Sequence, residues 1–172
     1  MMSAVFSPCG LYRYRLDRLI PENASDLIVA FLLHNSSTAG AENDDPTSRR
    51  GIGFARRWGA GRLVFVNPFA GRATKPYDLW QMADPVGPDN ARHIATVAAE
   101  VEWSGGFFVF AWGAINPPKA LRERVQQHLW ETEDIVRKYC RDVRCLGHTK
   151  SGGPRHPLYL KYDDEFRPWE RR

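Results

Sequence analysis

The sequence predicts an α/β fold built on a parallel sheet, and two observations carry that reading. Short apolar runs alternate with helical patterns from Leu27 to Leu146, the signature of parallel strands with helices on the sheet faces. Four of the apolar runs also switch abruptly to Asn, Ser, Gly, Pro or His: Leu27–Ala39, Leu63–Ala70, Phe107–Asn116 and Val143–Leu160. In open α/β sheets, ligands bind beyond the carboxyl ends of the strands. Four polar-tipped strands aimed at one crevice would form a small-molecule or base-binding pocket.

The elements follow in order. Leu11–Leu19 alternates apolar or aromatic with charged residues and reads as a half-exposed strand. Leu27–Leu33 is apolar throughout, as a strand buried on both faces is, and His34–Asn43 is its polar exit loop. Asp44-Asp45-Pro46 reads as a helix start, with Asp45 capping free N–H groups and Pro46 at the first helical position. That helix is expected to reach Trp58, with Ile52, Ala55 and Trp58 inward and Arg49, Arg50, Arg56 and Arg57 mostly outward. Leu63–Val66 is a second buried strand. Asn67–Pro88, punctuated by four prolines, reads as a long loop with one helical turn near Leu79–Met82. Ile94, Val97, Ala98 and Val101 share one face of a helix over 89–101. Phe107–Ala111 is the third strand. Pro117-Pro118 opens the longest helix, ending near Tyr139, with Leu121, Val125, Leu129, Thr132 and Val136 as its inner stripe. Val143–Leu146 is the fourth strand, and the charged, aromatic tail from Asp163 shows no clear element.

A chain of 172 residues suits one domain with a sizeable core, here about residues 11–162. The longest apolar run is too short to span a bilayer, and the first residues lack the pattern of a signal peptide. No membrane partner is expected, and the cytoplasm is the expected location. Three scattered cysteines, Cys9, Cys140 and Cys145, argue against a disulfide framework and a zinc site. No nucleotide-binding glycine motif and no HxxxH pair is present, and no metal or cofactor is expected. The net charge is +4, with 19 Arg against 5 Lys. Seven basic residues and no acid lie between Arg49 and Tyr77, and Lys150, Arg155 and Lys161 lie in another acid-free stretch. Such stretches suit phosphate contacts or a solvated basic face.

At the strand ends, Asn35 can hold a water or a substrate carbonyl, and Ser36, Ser37 and Thr38 add hydroxyls and an anion-binding backbone. Asn67, restricted by Pro68, offers a donor and an acceptor to the edge of a base. Trp112-Gly113 combines a stacking surface or core residue with close backbone approach. In Gly147–Pro157, His156 can stabilise charge on a leaving group, while Lys150 and Arg155 can hold phosphates. Each residue also has a purely structural use as a loop cap or core side chain.

Several segments carry a family resemblance: Leu33–Ala39 with Asp44–Thr47, Gly53–Gly59, Val66–Ala70, Asp84–Pro88, Ala111–Gly113 and Pro154–Leu160. Together, over about Tyr12 to Leu160, they resemble the uncharacterised bacterial and phage family called domain of unknown function 1643. This chain departs from the family pattern, which usually reads Leu-Asn-Pro-Ser-Thr-Ala, by carrying His34 for the Leu and Ser36 for the Pro. The order of the strand-end motifs is more distantly similar to the uracil-DNA glycosylase superfamily. That resemblance implies a three-layer α/β/α sandwich with a central, mainly parallel four-stranded sheet and an N-terminal edge strand or hairpin. It also implies roles. Asn35 would place the attacking water and His156 would stabilise the departing base. Asn67, Phe69, Trp112 and Ser37 would bind the base, and Arg49, Arg50, Lys150 and Arg155 would grip phosphates. The implied partner is nucleic acid, DNA before RNA, or a nucleotide, and the implied reaction is hydrolysis of an N-glycosidic bond. A non-catalytic nucleotide or nucleic-acid binding module is the alternative, and the oligomeric state is left open.

Overall fold

The fold, taken from a computed structural model, is described for residues 2–36, 43–73, 75–162 and 166–171. Its strands are β1 (Met2–Phe6), β2 (Arg13–Leu19), β3 (Ile28–Leu32), β4 (Asn35–Ser36), β5 (Arg62–Val66), β6 (Phe69–Arg72), β7 (Phe107–Phe110), β8 (Val143–Cys145) and β9 (Arg167–Pro168). Its helices are α1 (Pro46–Arg57), α2 (Pro76–Leu79), α3 (Asn90–Trp103) and α4 (Arg122–Tyr139). Seven strands form one sheet in the order β1-β2-β5-β3-β7-β8-β9, while β4 and β6 pair separately. The stretch β5-β3-β7-β8 is parallel. The hairpin β1-β2 joins antiparallel at one edge and β9 at the other.

This corrects the expected four-stranded sheet. The four parallel strands are those with apolar runs, but the sheet continues to both sides through segments of mixed composition. Strand β1 pairs with β2 through the turn at Gly10, and Trp169, next to β9, is anchored by its backbone N–H to Val143 O at 2.9 Å. The tail therefore has an element after all, held by burial of Trp169 against Phe110 and Trp112.

Helices cover both faces. Phe54 and Ala55 of α1 pack on Val29, Phe31, Leu63, Phe65 and Val109. On the other face, Ile94, Val97, Ala98 and Val101 of α3 and Val125, Leu129 and Val136 of α4 pack on Ala30, Leu32, Val64, Val66, Phe108 and Phe110. Alternate residues of β3 thus feed opposite cores, as the pleat requires. The start of α1 has the expected chemistry. Asp45 accepts from the Ser48 N–H at 2.7 Å, and Pro46 opens the helix. Ile52 and Trp58 pack on the same core as expected but stay partly exposed, and Phe54 is fully buried beside Ala55.

Three further expectations change. Strand β2 is not half-exposed: Arg13, Asp17 and Arg18 are buried with its aromatic residues. It lies inside the sheet, and its charges are used in pairs. Arg15 bridges Asp17 and Glu100 of α3 at 2.7 Å. Arg18, 1% exposed, holds Asp44 at 2.7 Å and donates to Asp17 O. Burial pulls the Arg13 guanidinium down to about 10, with Asp45 opposing it. The segment after Asn67 is not an irregular loop but holds β6 and α2, with Asp84 closing a turn onto Val86 and Gly87. Finally, Arg50 does not point outward, because its guanidinium lies over the Tyr162 ring at 3.9 Å.

Helix α1 approaches β5 closely only because residue 51 is glycine. A Cβ there would stand 2.6 Å from Phe65 Cζ, inside a filled core. Gly51→Ala is therefore expected to cost about 1–3 kcal/mol through overpacking, measured by urea denaturation. An unchanged midpoint would show that α1 can shift off the sheet without loss.

Candidate functional site

Strand β3 leads through α1 to β5 on one side, whereas β7 leads through α4 to β8 on the other. The strand order therefore reverses between β3 and β7, and a crevice opens beyond their carboxyl ends. A cleft of about 490 Å³ occupies that position. Its walls come from His34 after β3, Trp112 and Gly113 after β7, and Thr149, Arg155, His156 and Tyr159 after β8.

The loop after β8 is a built structure. Thr149 N–H donates to Gly153 O at 2.7 Å, Arg155 N–H to Gly147 O at 2.9 Å, and Gly113 N–H to Pro154 O at 2.8 Å. Gly113 has φ +73°, and a Cβ on it would meet His156 Cβ at 3.2 Å. A glycine is needed here on both counts. It seats His156 against the end of β7.

His156 caps a 3₁₀ turn over Pro157–Tyr159. Its Nδ1 accepts the Leu158 N–H at 3.3 Å, which places the proton of the neutral ring on Nε2. Burial holds this imidazole below its ordinary value, with Asp45 acting in the opposite sense. His156 is therefore a neutral donor at neutral pH. The Tyr159 ring, 6.1 Å from that of His156, is 82% exposed at the cleft.

His34 is held more firmly neutral. Burial, and the neighbouring His156, lower it to about 4. Its ring packs edge-on to Phe69 and tilted to Trp80, and its Nε2 is buried without a hydrogen-bond partner among the described residues. Phe69 and Trp80 face a second cavity of about 400 Å³ between the 80–86 segment and α4. His34 and its two aromatic neighbours thus stand between the cleft and that cavity.

The structure joins only part of the sequence-derived set. His156, Trp112 and Arg155 meet at the cleft. Trp112 is mainly a core residue, buried against Phe110 and Trp169, with one edge on the cleft. Phe69 belongs to the second cavity. Asn67 is 2% exposed and is not among the described residues lining the cleft; its backbone carbonyl accepts from Asn90 Nδ2 at 2.9 Å. Asn35 is placed through its backbone, in β4 beside Phe69 of β6. Ser37 lies outside the described residues. Arg49 is exposed on α1 and donates to Asp44 O, Arg50 is spent on Tyr162, and Lys150 is exposed in the loop after β8. Sequence reasoning missed Tyr159 and Thr149, and treated His34 only as a departure from a family pattern. An imidazole directly after a fully apolar strand was the available signal.

Among the described residues no cluster of His, Cys, Asp or Glu is arranged to hold a metal ion. Asp44 and Asp45 are occupied by Arg18 and by the α1 cap. No helix of the described residues is long and apolar enough to cross a membrane. A family model described as "Protein of unknown function (DUF1643)" matches residues 13–158. No curated protein and no solved structure matches the chain.

The His34 ring makes stability depend on pH. Its folded-state value lies below the ordinary 6.5, so the unfolded chain takes up the proton first and stability falls as pH drops through 6.5 toward 4. This residue alone is expected to remove about 2 kcal/mol between pH 7 and pH 5. His34→Leu should abolish that part of the slope in paired urea titrations. Identical slopes in the two proteins would contradict the burial of a neutral ring.

Proposed function

We propose that this chain, which belongs to the DUF1643 family, recognises a nucleobase in the His34–His156 cleft and hydrolyses the N-glycosidic bond that carries it. The observation that supports this most is the fixed tautomer of His156. The Leu158 N–H occupies Nδ1, leaving a neutral Nε2–H donor at a cleft that also has Tyr159 and Arg155 on its wall. Such a donor can hold a base carbonyl in the ground state. It binds more strongly as negative charge develops on that oxygen during departure of the base. Keeping the imidazole neutral avoids an early, permanent charge in a partly dry site.

The remaining roles follow from chemistry and from the resemblance to the uracil-DNA glycosylase superfamily. Tyr159 supplies an exposed aromatic face for stacking. Arg155 supplies a cation for the phosphate attached to the sugar. Asn35, at the end of β3, is assigned the water. An amide is too weak a base to deprotonate water, so the bond must loosen first, with positive charge gathering on the sugar before water adds. The base leaves as an anion hydrogen-bonded to His156 and takes up the proton released when water attacks the sugar.

One observation favours recognition without cleavage: no carboxylate is among the described residues lining the cleft. The two readings separate on a panel of single strands and duplexes carrying uracil, hypoxanthine, xanthine or hydroxymethylated bases. Alkali-labile sites that disappear in both Asn35→Ala and His156→Phe support hydrolysis, with an expected loss in His156→Phe of roughly a hundred-fold. Because burial holds His156 below its ordinary value, the acidic decline of the rate should fall at a lower pH than that of an ordinary imidazole. Salt-sensitive binding without product supports recognition alone. Absence of both would end the proposal.

A further inference from the structure

The cleft does not stop at its own walls. Trp112 and Gly113 also line a neighbouring recess of about 240 Å³ with Asn116, Arg122, Gln126 and Ser151. Arg122 and Gln126 in turn line an open groove of about 650 Å³ that ends at Trp130. Each recess shares residues with the next. The recesses therefore follow one another from His156 past Gly113 and along α4. Arg122, Gln126 and Trp130 are spaced four residues apart and all exposed, so they form one outer stripe roughly 12 Å long. The inner stripe of the same helix, Val125, Leu129, Thr132 and Val136, is buried.

Cations without an ion pair to described residues line this path, as Lys75 and Arg167 do elsewhere on the surface. Arg15, Arg18, Arg56, Arg62, Arg141, Arg144 and Arg171 all pair with carboxylates. The side chains of Arg122, Arg124, Lys150 and Arg155 form no hydrogen bond or ion pair with described residues. Arg122, Arg124 and Arg155 line the cleft or the groove, and Lys150 adjoins Ser151. Glu123 is the carboxylate that lines the groove with them. Exposed aromatic rings stand at the two ends, Tyr159 at the cleft and Trp130 on α4. Unpaired cations between stacking platforms suit a flexible polyanion with planar substituents.

We propose that the path is a track for single-stranded nucleic acid, which enters along α4 and delivers its terminal or extruded base to the His34–His156 cleft. The delivery step rests on the base-recognition reading above; the track does not. Phosphates lie against Arg122, Arg124, Lys150 and Arg155, and one base stacks on Trp130. A duplex, with its bases paired and stacked inward, offers neither Trp130 nor the cleft a free base face.

Fluorescence anisotropy with a labelled oligothymidylate of about twelve residues tests the track, and calorimetry with nucleoside monophosphates tests the cleft. The oligonucleotide should bind at least ten-fold more tightly than any monophosphate. Arg122→Glu combined with Arg124→Glu should weaken it about ten-fold and lower the salt slope, by roughly 0.7 for each lost phosphate contact, while monophosphate affinity stays the same. Trp130→Ala should weaken it roughly ten-fold, and Arg122→Lys with Arg124→Lys should restore most of the binding. An unchanged oligonucleotide affinity in the Glu variant would overturn the track. So would equal affinity for an abasic strand, or a duplex that competes as well as the single strand. Loss of monophosphate binding, with the oligonucleotide still dependent on Arg122 and Arg124, would overturn base delivery and leave the track standing.

Discussion

Strand β3 is hydrogen-bonded in parallel to β5 on one side and β7 on the other, and the chain leaves β3 and β7 toward opposite edges of the sheet. That divergence is the constraint from which the site follows. The connection from β3 runs through α1 on one face, and the connection from β7 runs through α4 on the other. Among the described residues no segment covers the gap between their carboxyl ends, where the cleft lies. Every group at the cleft depends on this arrangement. His34 sits there because it follows β3, and Gly113 because it follows β7. His156 sits there because Gly113 hydrogen-bonds the loop that carries it.

The cost of the arrangement is borne by β2 and its neighbours. A parallel core needs its edges closed, and on one side β2 does so with buried arginines beside buried Tyr14 and Leu16. Arg18 is almost fully enclosed and reaches Asp44, immediately before the cap of α1. Glu100 of α3 joins Arg15 of β2 to Arg62 of β5. Removing Asp44 would leave the enclosed Arg18 guanidinium without its carboxylate, the kind of loss that costs about 3–5 kcal/mol in a buried pair. These pairs fix the register of the hairpin and the start of α1. They therefore tie β2 to α3, to β5 and to the start of α1.

Much of this was legible in the sequence, for identifiable reasons. The apolar runs of β3, β5 and β7 are buried on both faces, so no polar residue interrupts them, whereas β8 carries Arg144, whose guanidinium covers Phe107 and Phe166. The start of α1 follows from Asp45 and Pro46, and the inner stripe of α3 follows from Ile94, Val97, Ala98 and Val101. What misled was polarity inside the fold. Arg13, Asp17 and Arg18 made β2 look half-solvated because a sequence does not reveal that Asp44 and Glu100 return to meet its arginines. The prolines around α2 made an ordered segment look irregular. At the site, spacing identified the strand ends but not the direction of side chains. Asn67 and Phe69 follow β5 as expected, yet Asn67 is buried off the described cleft wall and Phe69 faces the other cavity.

The basic composition carries a related lesson. The acid-free stretch from Arg49 to Lys75 looks like a phosphate-binding face when read as a string. In three dimensions Arg56 meets Glu22, Arg62 meets Glu100, Arg49 and Arg72 reach backbone carbonyls, and Arg50 and Arg57 lie over Tyr162. Two of the seven are neutralised by carboxylates, and four of the others are tied to backbone carbonyls or to a ring, which directs their guanidinium groups inward without cancelling their charge. A shorter set, spread between the loop after β8 and the first turn of α4, keeps its charge because no described carboxylate comes near enough to pair with it. Net charge therefore says little about where an anion would bind here. What each cation touches says more, and beside the cleft and along α4 the side chains of Arg122, Arg124, Lys150 and Arg155 have no partner among the described residues.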